Sequence, residues 1–496
     1  MFVNEEQRDQ MNLFKEKLDD IISNENPARF IDAYVERLDI KKIGFKTTGE
    51  SETGRPGYRP ATLLKIYIYG YFNRIRSSRR LEAECERNVE MMWLTGRVKP
   101  DFKTIADFRR DNREGLKNIF KEFLKLCHKL ELVSLKYVAI DGTKKRAQNS
   151  LDNIYKREEI EKIEKQINEK IDKYMLELDR SDRDEENEFE YLSKNLPERI
   201  SKLKKSKEKI ELIKKIFEGN PELEIFFAND PDSAFMKDNN RVNAGYNCQT
   251  AVDGEKGLIV ANNVVNESND LHQLNDMIEK VRKIKDELDE ETKTIAVADA
   301  GYFEENEIVK ASALEDFDVY VSHPRDTDKR KKSKKEDKIP AKGYTKDDFR
   351  YDKEKDYFIC PEGKVLTRSG IGYIDKRSGR RKYQYICKEC NRCDKNNLCT
   401  EDKDGRKVKA TENLREIMSF REKCNSELGK RIIRKRKATV EHPFGTIKRN
   451  WGYRYFMQKG IETVQAEFSF ITFIYNLKRV INIVNSEVLM KNIAAM

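Results

Sequence analysis

Two short runs rich in β-branched residues constrain this chain most. LKYVAID at 135–141 and TIAVAD at 294–299 each close on an aspartate, Asp141 and Asp299. Each is followed by a small turn-like segment, Asp141-Gly142-Thr143 and Asp299-Ala300-Gly301-Tyr302. Such runs read as buried strands. A carboxylate at the end of a buried strand is held at the rim of a sheet, where strand order opens a crevice. Glycine lets the backbone turn away, so that each carboxylate faces a ligand. One strand-terminal Asp serves equally well as a turn cap. Two together favour a site for Mg²⁺, which takes hard oxygen ligands and shares them with phosphate.

The text around these strands alternates. YNCQTAVD and LIVANNVV, separated by GEKG, read as a hairpin, DLHQLNDMIEKVRKIKDEL and EENEIVKASAL as helices, and DVYVS as a further strand. Residues 412–449 and 460–485 have helical patterns. The order strand, hairpin, helix, strand, helix, strand, helix predicts a mixed α/β sheet over 131–485, with a tail at 486–496. Two segments interrupt it. Residues 151–222 are Lys/Glu-rich with spaced Ile and Leu, an antiparallel helical hairpin joined around SDRDEENE. Residues 324–411 combine a Lys-rich loop with a cysteine-bearing segment.

Ahead of the sheet, residues 1–57 read as a helical leader (QMNLFKEKLDDIIS, PARFIDAYVERLDI) and a polar linker, KTTGESETGRPG. Residues 58–130 read as a compact helical domain of three helices: TLLKIYIYGYFNRI, RSSRRLEAECERNVEMMWL and TIADFRRDNREGLKNIFKEFLKLCHKL. PDFKT supplies a Pro stop and a Thr cap between the last two. Arg74, Arg76, Arg79, Arg80, Arg109 and Arg110 suit a DNA-binding helical domain and equally an ordinary bundle with a basic face.

Charge points to a polyanion. The 99 Lys+Arg against 89 Asp+Glu give a net charge of +10, and its distribution is uneven. Between Lys430 and Arg454 nine basic residues surround a single acid, Glu441; a second run, Arg325–Lys346, holds ten basic residues and four acids. Neither run reads as an amphipathic interfacial helix, so nucleic acid is the expected partner rather than a membrane. In one reading Glu441 neutralises its neighbours. In the other it completes a metal site with Asp141 and Asp299, while Arg434, Lys435, Arg436, Lys437 and Arg449 grip phosphates. Two ions about 3.5–4 Å apart would then serve the attacking and leaving oxygens. Trp451 and Tyr453 suit core packing better than base stacking, and His272 with Asp270 suits capping or packing of a helix. No apolar stretch approaches ~18 residues, and MFVNEEQRDQMN is not a secretory leader. Nine cysteines are too few for a disulfide scaffold, so a cytoplasmic, reducing setting is expected. A P-loop and a GxGxxG after a strand are both lacking, which gives ATP-driven and NAD chemistry no support.

Five cysteines fall within 40 residues: Cys360, then Cys387, Cys390 and Cys393 at CxxCxxC spacing, and Cys399. Four of them suit a tetrahedral structural Zn²⁺; an iron–sulfur cluster or reduced thiols are the alternatives.

Three ordered motifs carry a resemblance. YVAIDGTKKRAQNS, AVADAGYF and VEHPFGTIK resemble the motifs of the DDE transposases of bacterial insertion sequences, and RSSRRLEAECERNVEMMWLTGRVKPDFKTIADFRR is similar to their N-terminal domain. The resemblance implies a ribonuclease H-like catalytic core with Asp141, Asp299 and Glu441 as the triad holding Mg²⁺ or Mn²⁺. It also implies Lys448 as a contact to transposon-end DNA. Some relatives carry a similar Cys-rich insert. The expected activity is cleavage at terminal inverted repeats and joining to target DNA, by a homodimer or higher assembly at the bacterial nucleoid. A nuclease without joining activity and a non-catalytic DNA-binding relic are the rival readings. Many relatives have Tyr and Arg seven and four residues before the Glu. Here Arg434 and Lys437 stand there, which keeps charge at the second place and loses any bidentate contact.

Overall fold

The computed structural model describes residues 17–46, 57–181, 196–238, 241–324, 344, 346–376, 379–400, 402 and 404–494. Residues 1–16 of the leader, most of the linker, nearly all of the Lys-rich run and most of the SDRDEENE join lie outside the described residues. The N-terminal part is helical: α1 (Leu18–Ile21), α2 (Pro27–Arg37), α3 (Pro60–Phe72), α4 (Ser78–Arg87), α5 (Val89–Thr95), α6 (Phe102–Asp111) and α7 (Arg113–Lys129). Two expected helices are therefore each split in two, both times at an asparagine. Asn88 is extended and its side chain caps Met91 N, starting α5 afresh. Asn112 accepts from Lys46 N at 2.6 Å and donates to Phe108 O at 2.8 Å. The cap of α6 is Asp101, which accepts from the amides of Lys103 and Thr104, rather than Thr104 itself.

The main sheet begins with β1 (Tyr137–Arg146), which does not end at Asp141. It runs on for five residues, pairing Asp141 with Thr250 and Arg146 with Gly245. The expected turn after Asp141 is therefore strand. Gly142 meets a need for space there: a Cβ would lie 2.6 Å from Gln249 Nε2 and 2.9 Å from Asp270 Oδ1. The charged hairpin follows, with β2 (Ile154–Lys156), α8 (Ile160–Ser181), α9 (Leu196–Gly219) and β3 (Ile225–Phe227), its base closed by the β2–β3 ladder. Then come β4 (Ala234–Asp238), β5 (Arg241–Asp253), β6 (Ile259–Val265), α10 (Leu274–Glu287), β7 (Thr294–Ala298), α11 (Glu305–Ser312) and β8 (Phe317–Val321). The sheet order is β4-β5-β1-β7-β8, with β6 also on β5. β5 is antiparallel to its neighbours, whereas β7 and β8 continue parallel to β1. The sheet is mixed, as expected.

The cysteine-bearing insert adds no strand to it. β9 (Arg350–Asp352), β10 (Tyr357–Ile359), β11 (Val365–Ile374), β12 (Arg381–Ile386) and β13 (Lys407–Thr411) form a separate antiparallel sheet, with α12 (Asn396–Cys399) beside them. The helical stretch after it breaks at Ser426, whose hydroxyl caps Gly429 N, into α13 (Leu414–Asn425) and α14 (Glu427–Phe444). A π-helical turn, Gly445–Asn450, leads towards α15 (Ile461–Ile483) and α16 (Ser486–Ala494). α15 is buried almost all round: Phe473 packs on Phe123 at 5.3 Å and Phe470 on Tyr71 at 5.1 Å. The N-terminal helices and the sheet thus share one continuous apolar core. Trp451 and Tyr453 belong to it, with rings 5.6 Å apart. Among the described residues, no helix is long and apolar enough to cross a membrane.

Candidate active site

β1 carries Asp141, and Asp299 follows β7, the strand hydrogen-bonded to β1, so two residues far apart in sequence start side by side. Asp299 Oδ1 accepts from Gly301 N at 2.8 Å, fixing the carboxylate against its own turn. A side chain at 301 would crowd it, because a Cβ there would lie 2.9 Å from that oxygen. Asp141 Oδ1 likewise accepts from Gly142 N at 2.8 Å. The second oxygens of both face Arg436 of α14, whose Nη1 is 3.2 Å from Asp141 Oδ2 and whose Nη2 is 3.7 Å from Asp299 Oδ2. One guanidinium therefore bridges both carboxylates. Burial pushes the Asp141 carboxyl up to about 6; Arg436 opposes that rise and Asp299 adds to it.

α14 follows β1. Tyr137 OH donates to Ile432 O at 3.1 Å, and Lys435 Nζ lies 4.5 Å from the Tyr137 ring centroid. A cavity of about 740 Å³ beside Asp299 is lined by Gly301, Lys430, Arg434, Arg436 and Lys437. Glu441 stands one helical turn beyond Lys437 along that stripe. Its carboxylate is exposed, and its ion pair is with Lys437 at 3.7 Å. Thus Asp141 and Asp299 both face Arg436, whereas Glu441 is not among the residues that line the cavity and pairs with Lys437 instead. Lys448 is engaged internally: its ammonium meets Asp238 at 2.8 Å and Lys144 O at 2.9 Å. Arg434 and Arg449 are exposed. His442 pairs through Nδ1 with Tyr475 OH at 2.8 Å.

Asp270 does not serve α10 in the way expected of it. Its Oδ1 accepts from Lys144 Nζ at 3.0 Å, Asn247 Nδ2 at 2.7 Å and Gln249 Nε2 at 2.7 Å, while Tyr302 OH donates to Gln249 Oε1. This network braces β1, β5 and the Asp299 turn against one another. Its signal in the sequence is the pair of amides, Asn247 and Gln249, at alternate positions of a strand that is otherwise mostly apolar. Near it, His272, Glu304 and Glu307 bring ligand atoms within 4.8 Å of one another. The insert docks here as well, through Arg380 on Glu304 and on Glu305, the latter at 3.3 Å.

Cys360, Cys387, Cys390, Cys393 and Cys399 line one small cavity at the end of the insert sheet. Two of the sulfurs accept backbone amides: Cys360 from Lys364 N and Cys390 from Arg406 N, each at 3.3 Å. The sulfurs have not drawn as close as the acid cluster around His272, the one group of three ligand atoms within 4.8 Å among the described residues.

Residues 359–481 match the family described as Transposase DDE domain, and residues 16–111 match Transposase domain (DUF772). The first match contains Glu441, Lys448 and all five clustered cysteines; Asp141 and Asp299 lie between the two. No curated protein and no solved structure matches the chain. These two matches, one near each end of the chain, indicate a DDE transposase of the insertion-sequence type.

Proposed function

We propose that this protein is a DNA transposase that cleaves phosphodiesters at the ends of its element and joins the freed 3′ ends to target DNA. The observation that carries the reading is the convergence of Asp141 and Asp299 on one cation beneath a basic helix. The strand order, antiparallel β6-β5-β1 continued by parallel β7 and β8, supports a ribonuclease H-like core. Two adjacent carboxylates are hard oxygen donors and fit Mg²⁺ or Mn²⁺; Glu441 is the third ligand in this reading. When bound, the ions supply Lewis-acid stabilisation of the attacking and leaving oxygens. The chain itself orients the strand: Arg434, Lys435, Lys437 and Arg449 hold phosphates, while Arg436 passes from the aspartates to the DNA. Lys448 reaches an element end once Asp238 releases it. Residues 58–130 form the DNA-binding domain and 131–485 the catalytic domain, in a homodimer or larger assembly that pairs two ends.

The test is joining. Incubation with Mg²⁺, DNA carrying the element's own inverted repeats and a supercoiled target should yield covalently joined products. Cleavage without joining would establish the nuclease instead, and neither activity would establish the relic.

Four of the five clustered cysteines hold a structural Zn²⁺ in this reading. Protein purified under reducing conditions is expected to contain about one zinc per chain, and chelation should melt the insert while sparing the main sheet. Elemental analysis finding neither zinc nor iron would rule out a metal there.

A further inference from the structure

On the far edge of the main sheet from β8, a groove of about 620 Å³ runs between α7, β6, α10 and α15. Arg113, Lys117, Lys121, Lys280 and Lys283 line it, with Glu114 and Glu462 as its acids, which leaves three positive charges in excess. Lys117 pairs with Glu114 at 3.0 Å and Lys121 with Glu287 at 2.6 Å. Arg113, Lys280 and Lys283 make no ion pair among the described residues. Burial holds the Lys280 ammonium below its usual value; Lys283, Lys117 and Lys121 push the same way, and Asp276 opposes them. Cations that repel one another at a partly buried wall are stabilised by an anion from outside.

The spacing suits a polymer better than a single phosphate. Arg113, Lys117 and Lys121 recur every fourth residue along the α7 wall of the groove, a row of about 12 Å at 1.5 Å per residue. That length spans about three to four steps of a duplex at 3.4 Å each. Lys280 and Lys283 present a second row from α10 across the groove. β6 lies two strands away from β1, about 10 Å across the sheet, so the groove is apart from the aspartate pair.

We propose that this groove holds the phosphate backbone of duplex DNA, as a second contact beside the one on α14. The inference rests on the DNA-binding part of the function above and is independent of its chemistry. The full chain carrying Arg113→Gln, Lys280→Gln and Lys283→Gln is compared with the parent by anisotropy on a duplex of about 30 bp, in EDTA, from about 50 to 200 mM salt. Three lost contacts at about 0.9 each should make the log–log slope shallower by up to about 2.7, so the variant's deficit at low salt shrinks by about 40-fold at high salt. Lys280→Arg with Lys283→Arg should keep the parent slope, since charge alone is read. Lys435→Gln with Lys437→Gln should lower the slope separately, and the two sets should add. Parent-like affinity and slope in the triple variant, with a loss in the α14 variant, overturns the groove and leaves the function standing. Parent-like binding by both sets overturns the groove and the α14 contact together.

Discussion

Asp141→Asn should abolish Mg²⁺-dependent cleavage of element ends while DNA binding in EDTA stays close to that of the parent. Removing one group that stabilises developing charge costs about 10²–10³-fold in other enzymes, and a carboxylate that holds the metal should cost at least as much. The fold should survive. The amide occupies the space of the carboxylate, and its oxygen can still accept from Gly142 N as Asp141 Oδ1 does. Arg436 keeps Asp299 as a partner. Cleavage by the Asn variant at more than about a tenth of the parental rate would remove Asp141 from the chemistry. Glu441→Gln extends the test to the exposed acid: an equal loss would bring its carboxylate into the working site, and unchanged cleavage would leave the site to the two aspartates.

The strands that hold those aspartates were legible because burial on both faces leaves a compact signature, a β-branched run between turn residues. Strand ends were not. Asp141-Gly142-Thr143 has the composition of a turn, yet β5 runs alongside and satisfies the backbone as far as Arg146, and a pairing partner distant in sequence leaves no local trace. The helix breaks at Asn88 and Asn112 were hidden for a related reason. A helical stripe continues across each, while the Asn112 side chain takes over a backbone group that only the folded chain brings near, Lys46 N, and the Asn88 side chain caps the local amide of Met91. Proximity of Asp141 to Asp299 could be argued from their shared motif form. Arg436 could be read only as one member of a basic run, because its contact with both carboxylates depends on how α14 lies along β1. The Asp270 network was missed because its members come from β1, β5, the approach to α10 and the turn after β7.

Glu467→Ala should lower stability by about 3–5 kcal/mol, the usual cost of removing one partner from a buried ion pair. Glu467 sits on α15 at 3% exposure, with Arg76 at 8%. Its carboxylate lies 3.5 Å from Arg76 Nη1 and accepts from Met457 N at 2.9 Å and Gln458 N at 3.0 Å. Arg76 in turn donates to Tyr455 O at 2.9 Å and packs over the Tyr453 ring, 4.4 Å from its centroid. The acid thus joins the N-terminal helices to the loop after α14, and its loss takes a partner from a buried guanidinium and from two half-buried amides at once. Because α3 and α7 share their core with α15, the helices and sheet should loosen together, as one shifted transition in scanning calorimetry rather than a new early one. Arg76→Met should be comparably harmful, and the double variant Arg76→Met, Glu467→Met less harmful than the two costs added, since each charge is then removed together with its partner. A midpoint unchanged in Glu467→Ala, or strict additivity in the double variant, would show that the charge pair does not hold the two parts together.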